Sequence, residues 1–126
     1  AAKNGFSKCG IRDLGAAQEE LQMIEIQDVI ILHEAAEDLE AGRNFYEDKE
    51  SGVGQYFIDC LLSDLDSLNF QAGIHRKEFG FHRLLSRRFP FAIYYDISDN
   101  FARVAAILDM RRNPAWIREE LEERKS

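Results

Sequence analysis

Residues 82–114 read HRLLSRRFPFAIYYDISDNFARVAAILDMRRNP. Two apolar runs, Phe89-Pro90-Phe91-Ala92-Ile93-Tyr94-Tyr95 and Phe101 to Met110, are rich in β-branched and aromatic residues. Asp99-Asn100 lies between them as a turn signal. A preceding strand is predicted from about Phe81 to Arg88. It puts His82, Leu84, Ser86 and Arg88 on one face and Arg83, Leu85 and Arg87 on the other. Pro90 opens the next strand, where a missing N–H is tolerated. Val104-Ala105-Ala106-Ile107-Leu108 is apolar on both faces, as a central strand buried on two sides must be. That strand exits into Arg111-Arg112-Asn113-Pro114, which places two guanidinium groups at one end of the sheet.

Upstream, Ile24 to Leu32 reads as the first strand, alternating at its start and then continuously apolar. Ala35, Leu39, Gly42 and Tyr46 follow at helical spacing, with Glu34, Glu37, Asp38 and Glu40 near the helix start, where the dipole favours acids. Ser51-Gly52-Val53-Gly54 breaks this helix. Phe57, Cys60, Leu61, Asp64, Leu65 and Leu68 form the stripe of a second helix. Two striped helices joined by a glycine loop make an antiparallel hairpin that must lie on the sheet. Pro114 suits the first turn of a last helix with Trp116, Ile117 and Leu121 on its apolar edge.

The order defines an α+β domain. It is a small antiparallel sheet, β-α-α-β-β-β, with an α-helical hairpin packed on one face and a short C-terminal helix. The first strand pairs at an edge or beside the last strand. Residues 1–22, small and polar at their start, read as an N-terminal extension, with a short helix over Ala16 to Met23. Met23 stands as a natural start or as a core methionine. Residues 23–117 form the domain, and 118–126 are a charged tail that frays.

The chain has 126 residues, 45% apolar and 31% charged, which fits one globular domain. It has no apolar window of membrane-spanning length and no signal-peptide pattern. Cys9 and Cys60 form no CxxC pair, so a reduced, cytoplasmic chain is expected. Three histidines without metal-like spacing predict no metal site, and no cofactor is expected. The net charge of −7 is uneven. Residues 24–73 carry two basic against twelve acidic side chains, and 74–117 carry eight against four. An acidic back and a basic front follow, unless the helices merely carry solvated carboxylates.

Several segments together resemble the RelE/ParE family of bacterial type II toxins, which includes plasmid-stabilisation toxins. Ala35-Ala36-Glu37-Asp38-Leu39 with Phe45-Tyr46-Glu47 is similar to the family's first helix. Gly52-Val53-Gly54 with Phe57 and Leu61 is similar to its hairpin loop and second helix. Arg83 to Tyr95 resembles its strand pair around RFPY.I.Y, and Arg111-Arg112-Asn113-Pro114 with Trp116 resembles its RRDP..W ending. The resemblance covers residues 24–117. It implies a growth-inhibiting toxin neutralised by a cognate antitoxin, in a homo-oligomer or a toxin–antitoxin hetero-oligomer. ParE-like members inhibit DNA gyrase by binding; RelE-like members cut messenger RNA at the ribosome. A non-toxic relative that only binds a protein partner is the third alternative.

RNA cleavage by 2′-hydroxyl attack needs a base, cations for the developing charge and an acid. Arg83, Arg88, Arg111 and Arg112 are the candidate cations, with Arg76 and Lys77 as contributors, and Asp109 is the candidate base. The position where relatives carry a histidine before the terminal arginines holds Asp109. Asp109 reads more readily as the ion-pair partner of a neighbouring arginine such as Arg83 or Arg111, as a partly buried carboxylate must. His75 and His82 read as structural or solvated, and Phe91, Tyr94 and Tyr95 as core. For an antitoxin, the partner-binding residues are Arg87, Arg88, Arg111, Arg112 and Trp116, with Trp116 also able to pack its own helix.

Overall fold

The structure, a computed structural model, describes residues 28–125. The elements are β1 (Asp28–Ile31), α1 (His33–Lys49), α2 (Val53–Asp66), the single turn α3 (Leu68–Gln71), β2 (Lys77–Glu78), β3 (Phe81–Leu85), β4 (Phe91–Ser98), β5 (Phe101–Asp109) and α4 (Pro114–Arg124). The expected first half of β1, the helix over Ala16 to Met23, Cys9 and the Met23 start lie outside the described residues.

The five strands form one sheet in the order β1-β5-β4-β3-β2. β2 to β5 are antiparallel neighbours, and β1 joins the edge beside β5 in parallel, Asp28 opposite Phe101 and Ile31 opposite Val104. The α+β order read from the sequence holds, with β1 both at the edge and beside the last strand. Its parallel direction makes the sheet mixed. The direction of an edge strand reached through a helical crossover has no local signal.

Asp99 and Asn100 both have positive φ, 52° and 67°, as a two-residue hairpin turn between twisted strands requires. The β4–β5 register shifts between Tyr94 and Tyr95, which leaves Ala105 as the extra residue of a bulge. Phe91, Ile93, Tyr95, Val104 and Ile107 face Phe57, Leu61 and Leu65 of the helical hairpin. Ala92, Tyr94, Ala106 and Leu108 face Ile117 and Leu121 of α4. β5 is therefore covered on both sides, as its apolar run predicts. Each large side chain buried here contributes about 1.5–3 kcal/mol.

Two glycines set the hairpin. A Cβ on Gly42 would come within 2.6 Å of the Phe57 ring, so the helices meet where α1 has no side chain. Gly52 has φ 93° at the turn. The Glu47 carboxylate accepts from the Gly52 amide (3.1 Å) and the Gly54 amide (2.9 Å), so α1 caps the start of α2.

Three local expectations change. β3 ends at Leu85 rather than Arg88, because residues 87–90 turn the chain into β4. Ser86 still donates its amide to the Phe91 carbonyl at 2.9 Å, and its hydroxyl meets the Asp64 carboxylate of α2 at 2.7 Å. β2 pairs with β3 through a turn at Phe79-Gly80, φ 54° and 90°. The last helix does not fray after residue 117. It runs to Arg124, because Leu121 continues the buried stripe of Ile117 and Arg124 reaches back to Asp38 of α1. The Arg124 side chain is only 9% exposed and also donates to the Ala105 carbonyl at 3.2 Å. Asp38 accepts the Ile107 amide at 3.0 Å. Together they satisfy the edge of β5 beyond the end of β1. Burial pushes the Asp38 carboxyl up, although Arg124 and the Ile107 amide pull the other way.

Candidate functional site

β3 and β5 end, and β4 begins, at the same end of the sheet, because the three strands are antiparallel neighbours. The Ser86–Pro90 loop and the Met110–Asn113 segment therefore sit side by side, tied by the Met110 amide donating to the Pro90 carbonyl at 2.7 Å. This topology gathers Arg87, Arg88, Arg111 and Arg112, all exposed.

Aromatic side chains support two of them. Phe89 packs between Tyr46 and Tyr56, with ring centroids 4.8 and 5.6 Å away, and edge-on to Phe57 at 5.1 Å. Arg88 donates to the Tyr56 hydroxyl and Arg111 to the Tyr46 hydroxyl, each at a long 3.4 Å. The helical hairpin thus orients both guanidinium groups through phenols. Arg112 instead stacks on the half-buried Trp116 ring, 3.8 Å from its centroid. Trp116 so joins α4 to the arginine end.

Asp109 pairs with Arg111, not Arg83. Its oxygens accept from Arg111 Nε at 3.0 Å and Nη2 at 2.7 Å, and from the Arg111 amide at 2.8 Å. The Arg111 guanidinium holds the Asp109 carboxyl below its usual range. A carboxylate engaged in this way is a poor proton acceptor near neutral pH.

Arg83 is not brought to this group. It stands within β3 opposite Tyr94, on the sheet face that α4 covers. Burial raises the Tyr94 phenol, and Arg83 acts against that rise. The imidazoles are also elsewhere. His82 stacks on Tyr95 at 5.1 Å and pairs through Nδ1 with the His75 carbonyl at 2.8 Å. The Tyr95 hydroxyl accepts from the Gly73 amide at 2.9 Å and bonds to His75 Nδ1. Burial, then the nearby His82, lowers the His75 pKa. Arg87 lies five positions beyond His82, and the stretch of β3 from His82 to Leu85 alone spans roughly 10 Å.

Two hollows flank the arginines. One, of about 640 Å³, lies between α2 and the β3–β4 loop and is lined by Tyr56, Asp59, Cys60, Ser63, Asp64, Arg87 and Arg88. The other, of about 280 Å³, is lined by Ala41, Gly42 and Phe45 of α1, by Phe91, by Ile107 to Asp109 of β5, and by Arg112 and Trp116, with Asp38 at one side. Among the described residues, no group of three His, Cys, Asp or Glu side chains could hold a metal ion. No helix among them is long and apolar enough to cross a membrane.

Tyr46, Tyr56 and Asp64 were not singled out as site residues from the sequence. Tyr46 and Asp64 read there only as members of helical stripes. The signal that finds them is three-dimensional: both phenols point at guanidinium groups far away in the chain.

No family model matches this chain, and no curated protein does. Among solved structures, a chain described as "Chromosomal ParDE TA system from P. aeruginosa" superposes with a TM-score of 0.62 at 17% sequence identity. The match covers 69% of this chain and 99% of that one. At that identity the likeness shows a shared fold.

Proposed function

We propose that this chain is the toxin component of a type II toxin–antitoxin system, ParE-like, acting in the cytoplasm by binding a host target such as DNA gyrase. A cognate antitoxin neutralises it. The observation that carries this reading is the arginine end of the sheet. Four guanidinium groups, two of them oriented by phenols, stand together with no imidazole beside them among the described residues; Asp109 is committed to Arg111, and Asp64 faces Arg87 while bonded to Ser86. That arrangement supplies positive charge and aromatic surface to an acidic protein partner. Among the described residues, no imidazole and no free carboxylate stands with the arginines to act as the base that strand cleavage requires. The fold shared with a chain of a toxin–antitoxin system and the ordered resemblance of four segments support the same reading. Arg87, Arg88, Arg111, Arg112 and Trp116 are the contact residues. The hollow between α1, β5 and Trp116 takes an apolar anchor of the partner.

The test is direct. Purified chain is added to DNA gyrase in a supercoiling assay, and to ribosomes programmed with messenger RNA. Loss of supercoiling with intact message is expected. New message ends with normal supercoiling would instead establish a ribonuclease of the same fold.

A further inference from the structure

Asp64 is the one charged side chain in the buried core among the described residues, 5% exposed in the last turn of α2. A buried carboxylate costs several kcal/mol unless hydrogen-bonded or paired. Its partners both come from the β3–β4 loop. Ser86 Oγ donates to Oδ2 at 2.7 Å, and Arg87 Nε lies 3.8 Å from Oδ1, close enough for charge but not for a hydrogen bond. The same loop is pinned again at Phe89, among the aromatic rings, and at Pro90, whose carbonyl takes the Met110 amide. Between these pins stand Arg87 and Arg88, exposed and side by side.

We infer that Asp64 is a positioning residue for the Arg87–Arg88 loop, holding that pair in the orientation that meets an acidic segment of the partner protein. The inference rests on the toxin–antitoxin reading for its partner, but its geometry stands alone. Asp64 anchors Ser86 and draws the Arg87 guanidinium toward α2. Its charge also repels partner carboxylates from the 640 Å³ hollow, so they are met on the outer side of the loop.

Two readouts test it on the full chain. Hexaglutamate serves as the acidic probe at low salt, with Asp64→Asn, Arg87→Ala and the double variant compared. Asp64→Asn keeps a hydrogen-bond acceptor for Ser86 and only removes charge. Simple electrostatics makes that variant bind hexaglutamate more tightly, because a negative charge is gone. Positioning makes it bind about three- to tenfold more weakly, with no further loss in the Arg87→Ala background. The second readout is the Arg87 Nε–H resonance in the free protein, which should move in Asp64→Asn to the value of an unconstrained arginine. Ser86→Ala, which keeps the carboxylate, should move it in the same direction. An unmoved Arg87 resonance, or tighter binding by Asp64→Asn, overturns the role given to Asp64. Failure of the unaltered chain to bind hexaglutamate, with the resonance moving as expected, overturns the acidic-partner reading and leaves Asp64 as the anchor of the loop.

Discussion

Two carboxylates of this chain face arginines with opposite consequences. Asp109 is held below its ordinary pKa by Arg111. A depressed carboxylate contributes stability above its unfolded value, near 3.8, and that contribution is lost as pH falls through the folded value. Arg111→Ala should therefore return the Asp109 pKa toward its ordinary value, read by NMR titration of the carboxyl carbon. The stability difference between variant and parent should vanish well below pH 4. Asp38 is raised by burial even with Arg124 beside it. Its contribution is greatest below the ordinary value and falls as pH rises through the folded one. Arg124→Met leaves that charge buried alone and should cost about 3–5 kcal/mol near neutral pH, with a smaller deficit near pH 4. Urea unfolding at the two pH values measures both. Adding Asp38→Asn should recover part of the loss. Asp109 was legible in the sequence as an ion-pair partner, with Arg83 and Arg111 both in range. The choice of Arg111 depends on which sheet face each arginine leaves, and β3 turns Arg83 toward α4. Arg124 was illegible because its partner lies eighty-six residues away.

The elements show where local pattern suffices. The β4–β5 hairpin was readable because Asp-Asn accepts positive φ and the flanking runs are apolar. The helical hairpin was readable from two stripes and a glycine break. Its close contact is testable. Gly42→Ala puts a methyl against a buried Phe57 ring and should destabilise by about 1–3 kcal/mol despite alanine's better helix propensity. Glu47→Ala removes the acceptor of two amides at the start of α2 and should cost about 1 kcal/mol, a value that denaturant midpoints resolve. What local pattern could not show was the end of β3. Ser86 keeps a ladder bond to the Phe91 carbonyl at 2.9 Å while its hydroxyl meets a buried acid on α2, and the chain leaves strand geometry just beyond it. The loop that results is what presents Arg87 and Arg88. The candidate site thus depends on the departure from pattern.

At the scale of the molecule, charge and topology agree. The acid-rich hairpin lies on one face of the sheet, while the strand ends collect arginines that sequence order alone spreads over residues 87–112. The arginine pairs were legible as candidates. That Arg83 stands apart, and that Tyr46 and Tyr56 carry Arg111 and Arg88, required the fold. A surface built to bind should fail by loss of contact, not of chemistry. Arg88→Ala with Arg111→Ala should weaken target binding by roughly ten- to a hundredfold while the melting temperature shifts by only a few degrees, since both groups are exposed. Calorimetric binding and thermal unfolding of the same samples check the two halves. The most direct measurement of how this chain acts is its induction in a bacterial host without any antitoxin, with growth, message ends and DNA supercoiling followed together. Growth arrest with intact transcripts and altered DNA topology, relieved in the Arg88→Ala, Arg111→Ala variant, is the expected result. Undisturbed growth, or arrest accompanied by new ribosome-dependent message ends, would contradict it.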